Sequence, residues 1–127
     1  MNKRFVLDSS AVLAVVNSEK GKENVESKFP DSLVSSVNVA EVLTKLAERN
    51  VDLNDAIDNF LHVGLDVRDF DLAQALKCAE LRPHTKHLGL SLGDRACLAL
   101  AIQENATAVT ADRSWANLDV CGIEVIR

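Results

Sequence analysis

Long apolar runs are missing from this sequence. Ala11 to Val16 has six residues and Ala96 to Ile102 seven, far below the roughly 20 that a bilayer-spanning helix needs, so no membrane partner is expected. Lys3 and Arg4 precede an apolar stretch that Asp8 interrupts, and no small-residue cleavage site follows. No signal peptide is therefore read, and the cytoplasm is the expected compartment. Cysteine is sparse: Cys78, Cys97 and Cys121 are odd in number and in no Cys-x-x-Cys pattern, which argues against a disulfide framework and a zinc ribbon. Buried thiols are expected. No Ser/Gly linker, low-complexity tract or internal repeat divides the 127 residues, so residues 1–127 are read as one domain, long enough to bury roughly two thirds of its unfolded surface.

Several kinds of catalytic loop are missing too. There is no Gly-x-Ser-x-Gly elbow and no phosphate loop of the Walker or dinucleotide type. Leu88 to Gly93 spaces its glycines too loosely for either, and they are read as shaping the turn into the next helix. A basic excess is also lacking, since 19 Asp and Glu outnumber 14 Lys and Arg for a net charge of −5. That balance disfavours a polyanion partner, unless cations neutralise a group of the acids and bring the remainder near zero. Arg82, His84, Lys86 and His87 form the densest basic patch, read either as a weak polyanion contact or as a solvated loop. His84 and His87 are spaced like metal ligands, but they flank Pro83 and Gly89 in an expected helix-ending loop without an acidic neighbour, and no structural metal is expected there.

What the sequence does have is alternation of short apolar runs with helical periodicity. Strands are expected at Arg4 to Leu7, Ser32 to Ser35, Leu65 to Arg68, Thr107 to Thr110 and Gly122 to Ile126. Helices are expected from Ala11 to Asn17, Lys20 to Phe29, Ser36 (as cap) to about Asn50, Asp52 to His62, Phe70 to Leu81 and Ser91 to Asn105, with a short turn around Trp115. Val39, Val42, Leu43 and Leu46 follow the i, i+3, i+4, i+7 template of a core-facing stripe, and Pro83 is expected to stop the helix before it. Such alternation implies right-handed parallel crossovers, hence a three-layer α/β/α sandwich around a central, mainly parallel, five-stranded sheet.

In such sheets ligands gather at the carboxyl ends of the strands. Asp8 ends the first expected strand, Asp112 follows the fourth, and Glu41 and Asp94 lie in the early turns of two helices. Each has a plain structural explanation. Asp8, Asp94 with Ser91, and Asp112 are all placed to cap helices, at about 1 kcal/mol each, and Glu41 is placed to pair with Lys45. Together, however, they share one expected rim. Two carboxylates about 4 Å apart repel by about 4 kcal/mol at an effective dielectric of 20, which a hard cation such as Mg²⁺ or Mn²⁺ would relieve. Such a cation lowers the pKa of a bound water and stabilises charge on a phosphodiester, so phosphodiester hydrolysis with a metal-bound water as nucleophile is the expected chemistry.

The motifs Phe-Val-Leu-Asp8-Ser-Ser-Ala-Val-Leu-Ala, Ser36-Val-Asn-Val-Ala-Glu41-Val-Leu, Leu-Ser-Leu-Gly-Asp94-Arg-Ala-Cys-Leu-Ala-Leu-Ala and Val-Thr-Ala-Asp112-Arg-Ser-Trp occur in this order. In that combination the chain resembles the PIN-domain ribonucleases of the VapC toxin type, over nearly its whole length. The resemblance implies that Asp8, Glu41, Asp94 and Asp112 are metal-binding catalytic acids; the hydroxyls of Ser10 and Thr110 are placed either to orient Asp8 and Asp112 or simply as a helix start and a strand end. It implies a Mg²⁺- or Mn²⁺-dependent endoribonuclease acting on structured RNA such as tRNA or rRNA. It further implies a homodimer and a cognate VapB-like antitoxin. Two other readings stand beside it: a receiver-like Mg²⁺-binding signalling domain, and a catalytically inert PIN-like scaffold that binds RNA or protein.

Overall fold

The computed structural model describes residues 3–127. Five strands, β1 (Phe5–Leu7), β2 (Ser32–Ser35), β3 (Asp66–Arg68), β4 (Thr107–Thr110) and β5 (Ile123–Val125), form one sheet in the order β3-β2-β1-β4-β5. Every pairing is parallel, with Leu7 of β1 opposite Val34 of β2 on one side and Val109 of β4 on the other. The chain runs outward from β1 through β2 to β3, then crosses back to lay β4 on the free side of β1. Ligand crevices of open parallel sheets form at such a reversal. A receiver-like sheet would follow the order 2-1-3-4-5, so that reading does not hold.

Alternate strand residues face opposite layers, as the twofold period of a strand requires. Val6, Leu33 and Ala108 join a core with α5 (Leu72–Thr85), α6 (Leu92–Gln103) and Trp115. Leu7, Val34 and Val109 join the other, with α1 (Ser9–Val16), α2 (Lys22–Glu26), α3 (Ser36–Glu48) and α4 (Leu53–Val63). The expected three-layer sandwich is thus present. The edge strand β3 carries charge, and Arg68 bridges Asp66 and Glu104, which blunts an otherwise pairable edge.

The strands Ser32–Ser35 and Thr107–Thr110 fall at the expected residues. Gly64 closes α4 in the left-handed conformation at φ 76°, which glycine adopts at no steric cost. The stripe on α3 is half as deep as expected: Val42 and Leu46 are buried, while Val39 and Leu43 are partly exposed.

Other boundaries differ from expectation. Ser35, not Ser36, caps α3 by accepting from the Val37 amide. The Ser36 hydroxyl instead accepts from the Phe70 amide at 3.1 Å, tying the start of α3 to the loop after β3. The segment from Lys20 to Phe29 divides into α2 and a 3-10 turn at Phe29–Asp31 that contains Pro30. Most distinctly, α5 runs through Pro83 to Thr85, so that His84 is helical rather than in a loop. Pro83 lacks an N–H for the preceding turn, but it lies on the exposed side while Leu81 and Thr85 around it are buried. The Thr85 hydroxyl donates to the Leu81 carbonyl at 2.9 Å, and packing on both flanks outweighs one missing helical bond.

Candidate active site

Asp8 sits where β1 becomes α1, and the backbone there explains its burial. Its amide donates to the Val109 carbonyl at 3.0 Å, continuing the sheet, while its side chain caps α1. Oδ1 accepts from the Ala11 amide at 2.8 Å and from the Ser10 hydroxyl at 2.7 Å, and Oδ2 accepts from the Thr110 hydroxyl at 2.5 Å. With only 4% of its surface exposed, the carboxylate loses hydration. Burial pushes its pKa from 3.8 up to about 6; the bonds from Thr110, Ser10 and Ala11 pull it back, and the nearby charge of Asp94 adds to the rise. Desolvation therefore outweighs the three hydrogen bonds.

Thr110 and Ser10 link two of the acids. Thr110 Oγ1 accepts from the Asp112 amide at 3.0 Å while donating to Asp8, and Ser10 Oγ accepts from the Ala111 amide at 2.8 Å. Asp112 itself is exposed and caps the short turn Arg113–Asn117 through the Ser114 amide at 2.9 Å. Its link to Asp8 passes through Thr110.

Asp94 and Glu41 approach from the other side. Asp94 forms a reciprocal capping box with Ser91 at the start of α6, its Oδ2 accepting from the Ser91 amide at 2.9 Å. Glu41 does not pair with Lys45. Its Oε1 accepts from the Ser9 hydroxyl and, at 2.9 Å, from Asn38 Nδ2. The carboxylate lies against the backbone of Gly93, where a Cβ would collide with it. The buried Cys97 thiol feels all three: its pKa is raised well above normal by burial, and further by the charges of Asp8, Asp94 and Glu41 among others.

Asn38 was not singled out from the sequence, and Gly93, read there as shaping the turn into the next helix, lies inside α6 against the Glu41 carboxylate. The only signal for Asn38 is its position one turn before Glu41, which puts both on one face of α3.

Among the described residues, no three His, Cys, Asp or Glu side chains converge closely enough to hold a metal ion between them. The expected four-acid cluster is therefore not closed: the charges of Asp8, Glu41 and Asp94 all act on the buried Cys97 thiol, and Asp112 is exposed. The donor set nevertheless fits a hard divalent cation in kind. It consists of carboxylates and hydroxyls without thiolate or imidazole, and it includes a buried carboxylate whose raised pKa marks charge that the protein leaves uncompensated. Arg82, His84, Lys86 and His87 are exposed at the end of α5 and in the 3-10 turn Lys86–Leu88. Arg82 donates to the Leu90 carbonyl at 3.3 Å, next to the Ser91 cap of Asp94. Cys78 and Cys97 are buried free thiols, and Cys121 is half-buried.

An apolar cavity lies elsewhere, a space of about 330 Å³ between α1, α3 and α4 lined by Val12, Val42, Leu46 and Phe60 among others. No described helix is long and apolar enough to cross a membrane.

Comparison with solved structures finds the same fold repeatedly. A chain of the VapBC2 complex from Rickettsia felis, solved bound to a DNA fragment from its promoter, superposes with a TM-score of 0.75 at 22% identity, covering 95% of this chain and 97% of that one. A chain of DNA-bound VapBC from Salmonella typhimurium gives 0.73 at 19% identity, with 98% of each covered. VapC20 from Mycobacterium tuberculosis, a toxin that cleaves the sarcin-ricin loop, gives 0.72 at 16% identity, covering 93% of this chain and 98% of that one. No curated protein matches the chain by sequence. The profile of the PIN domain, however, matches residues 5–120, taking in all five strands but the last and every acid described above, and on this ground the chain belongs to the PIN-domain family.

Proposed function

We propose that the protein is a divalent-metal-dependent endoribonuclease and the toxin of a type II toxin-antitoxin pair. The observation that carries this reading is the Asp8 carboxylate. It is buried at the switch point of the sheet, its pKa is raised to about 6, and the charge of Asp94 contributes to that rise. A capping residue needs only one backbone donor; it gains nothing from burial beside another acid. Asp8, Glu41 and Asp94 would hold the cation, Mg²⁺ or Mn²⁺, with Asp112 at the outer edge. When bound, the cation supplies an activated water as nucleophile and neutralises charge on the phosphodiester.

The chain's own residues do the remaining work. Ser10 and Thr110 fix both oxygens of Asp8, Ser9 and Asn38 fix Glu41, and the capping box fixes one oxygen of Asp94. Arg82, His84, Lys86 and His87 would meet the phosphates of a structured RNA, tRNA or rRNA, beside the Asp94 end of the site. The likeness to chains of VapBC complexes supports a VapB-like antitoxin as partner, with the protein a cytoplasmic homodimer.

The inert-scaffold reading draws on one observation, the absence of three converging ligands among the described residues. One experiment separates the two. Purified protein and its Asp94→Asn variant are incubated with total cellular RNA in Mn²⁺, Mg²⁺ or EDTA, and fragment ends are mapped. Discrete cleavage that needs both metal and Asp94 supports the nuclease; cleavage by neither protein, with RNA still bound, supports the scaffold.

A further inference from the structure

Asn38 is 99% buried in the first turn of α3, where a polar side chain must find partners or destabilise the fold. Its amide nitrogen finds them on three helices. Nδ2 lies 2.9 Å from Glu41 Oε1 on its own helix, 3.1 Å from the Gly93 carbonyl in α6 and 3.2 Å from Ser9 Oγ in α1. The orientation of the amide follows from these neighbours. Turned over, its oxygen would face a carboxylate and a carbonyl, neither of which has a proton to give. The actual orientation leaves Oδ1 buried without a partner, a cost that the donor side must offset.

Ser9 completes the arrangement by donating to the same Glu41 oxygen. Glu41 is thereby held by donors from α1 and α3 and pressed against the Cβ-free backbone of α6 at Gly93. Among the described residues Oε2 accepts no hydrogen bond, so the protein anchors one oxygen and leaves the other without a donor. Asp94 follows Gly93 directly. Any shift of α6 relative to α3 would therefore change the separation of Glu41 and Asp94, and the bond from Asn38 to the Gly93 carbonyl opposes that shift.

We propose that Asn38 is a positioning residue: its amide fixes the Glu41 carboxylate and, through the Gly93 carbonyl, sets the spacing of Glu41 from Asp94 for a divalent cation. This rests on Glu41 being a cation ligand, as proposed above. The test is calorimetric titration of the metal-free full chain with Mn²⁺ alone, without RNA, on wild type, Asn38→Ala, Asn38→Leu, Asn38→Gln, Glu41→Gln and the double variant Asn38→Ala/Glu41→Gln. Asn38→Leu keeps the buried volume without the amide, and so reports the same loss if the cavity in Asn38→Ala unfolds that variant.

We expect Mn²⁺ affinity to fall about tenfold in Asn38→Ala and Asn38→Leu, the scale on which residues that orient metal ligands act, and to recover in part in Asn38→Gln. In the double variant, loss of Asn38 adds little to loss of Glu41. RNA cleavage at saturating Mn²⁺ should recover towards wild type, which a general loss of folded protein would not allow. Wild-type affinity in Asn38→Leu while Glu41→Gln is impaired overturns the role of Asn38 alone. Equal affinity in wild type and Glu41→Gln overturns the assignment of Glu41, and with it this inference.

Discussion

The charges of the Asp8 and Glu41 carboxylates act on the same buried thiol, Cys97, yet the fold holds them in opposite ways. Asp8 is set largely by its own neighbourhood: it ends a strand, caps the helix that follows and bonds residues two and three positions on, with Thr110 as the distant contribution. Its charge is buried at a cost. Glu41 is only partly buried, and its position depends on α1 and α6, which meet α3 only in the folded chain. Asp8 is thus locally encoded and electrostatically strained, whereas Glu41 is without that burial but dependent on distant contacts.

Removing either kind of acid should have the largest effect. Asp8→Asn and Asp94→Asn are expected to reduce RNA cleavage to background while keeping the circular dichroism spectrum of the wild type. Loss of the spectrum along with activity would mean that these acids act as structural caps. A test confined to the Glu41 side comes next. Gly93→Ala puts a Cβ where the Glu41 carboxylate lies, and the displaced ligand should cost about tenfold to a hundredfold in cleavage and Mn²⁺ affinity. Unchanged cleavage would show that Glu41 can move without consequence.

The strain on Asp8 has a pH signature. Its folded pKa of about 6 exceeds the ordinary value of 3.8, so between those values the folded chain binds more proton than the unfolded one. The stabilisation from a protonated Asp8 is complete below the lower value and is lost as pH rises to the higher one, a change of about 3 kcal/mol. Urea unfolding in EDTA from about pH 4 to about pH 7 should show this decline in wild type relative to Asp8→Asn, whose side chain does not titrate. Parallel profiles would contradict the burial argument.

Why the setting of one acid was legible and that of the other was not follows from these contacts. Asp8 followed by serines after an apolar run is a strand end and a helix cap in any sequence, and alternation of strands with helices dictated the parallel sandwich. The support of Glu41 comes from Ser9, 32 positions away, and from Gly93 across α6, and no periodicity encodes such pairings. Pro83 misled for the related reason that burial of Leu81 and Thr85 beside it outweighs a local helix-breaking preference. The exposed position of Asp112 is equally a tertiary outcome: Thr110 ends β4 buried beside Asp8, Ala111 packs against the core on the α1 side, and the chain reaches the surface at Asp112.

Smaller effects refine the comparison. Thr110→Val removes one donor from Asp8 and the acceptor of the Asp112 amide; it should cost about 1 kcal/mol in unfolding free energy, with little change in a Glu41-dependent readout. Arg82→Ala or Lys86→Ala should weaken RNA binding modestly and lower the slope of log affinity against log salt by about 1 each, without changing Mn²⁺ affinity. An unaltered salt slope would remove these residues from the RNA surface.

The most direct measurement is a crystal structure of the protein with Mn²⁺, read by anomalous scattering. We expect a peak within bonding distance of the Asp8, Glu41 and Asp94 carboxylates, drawn together around the ion. Fully occupied Mn²⁺ bound elsewhere, or none at this rim at concentrations that support cleavage, would contradict a metal centre built on these acids.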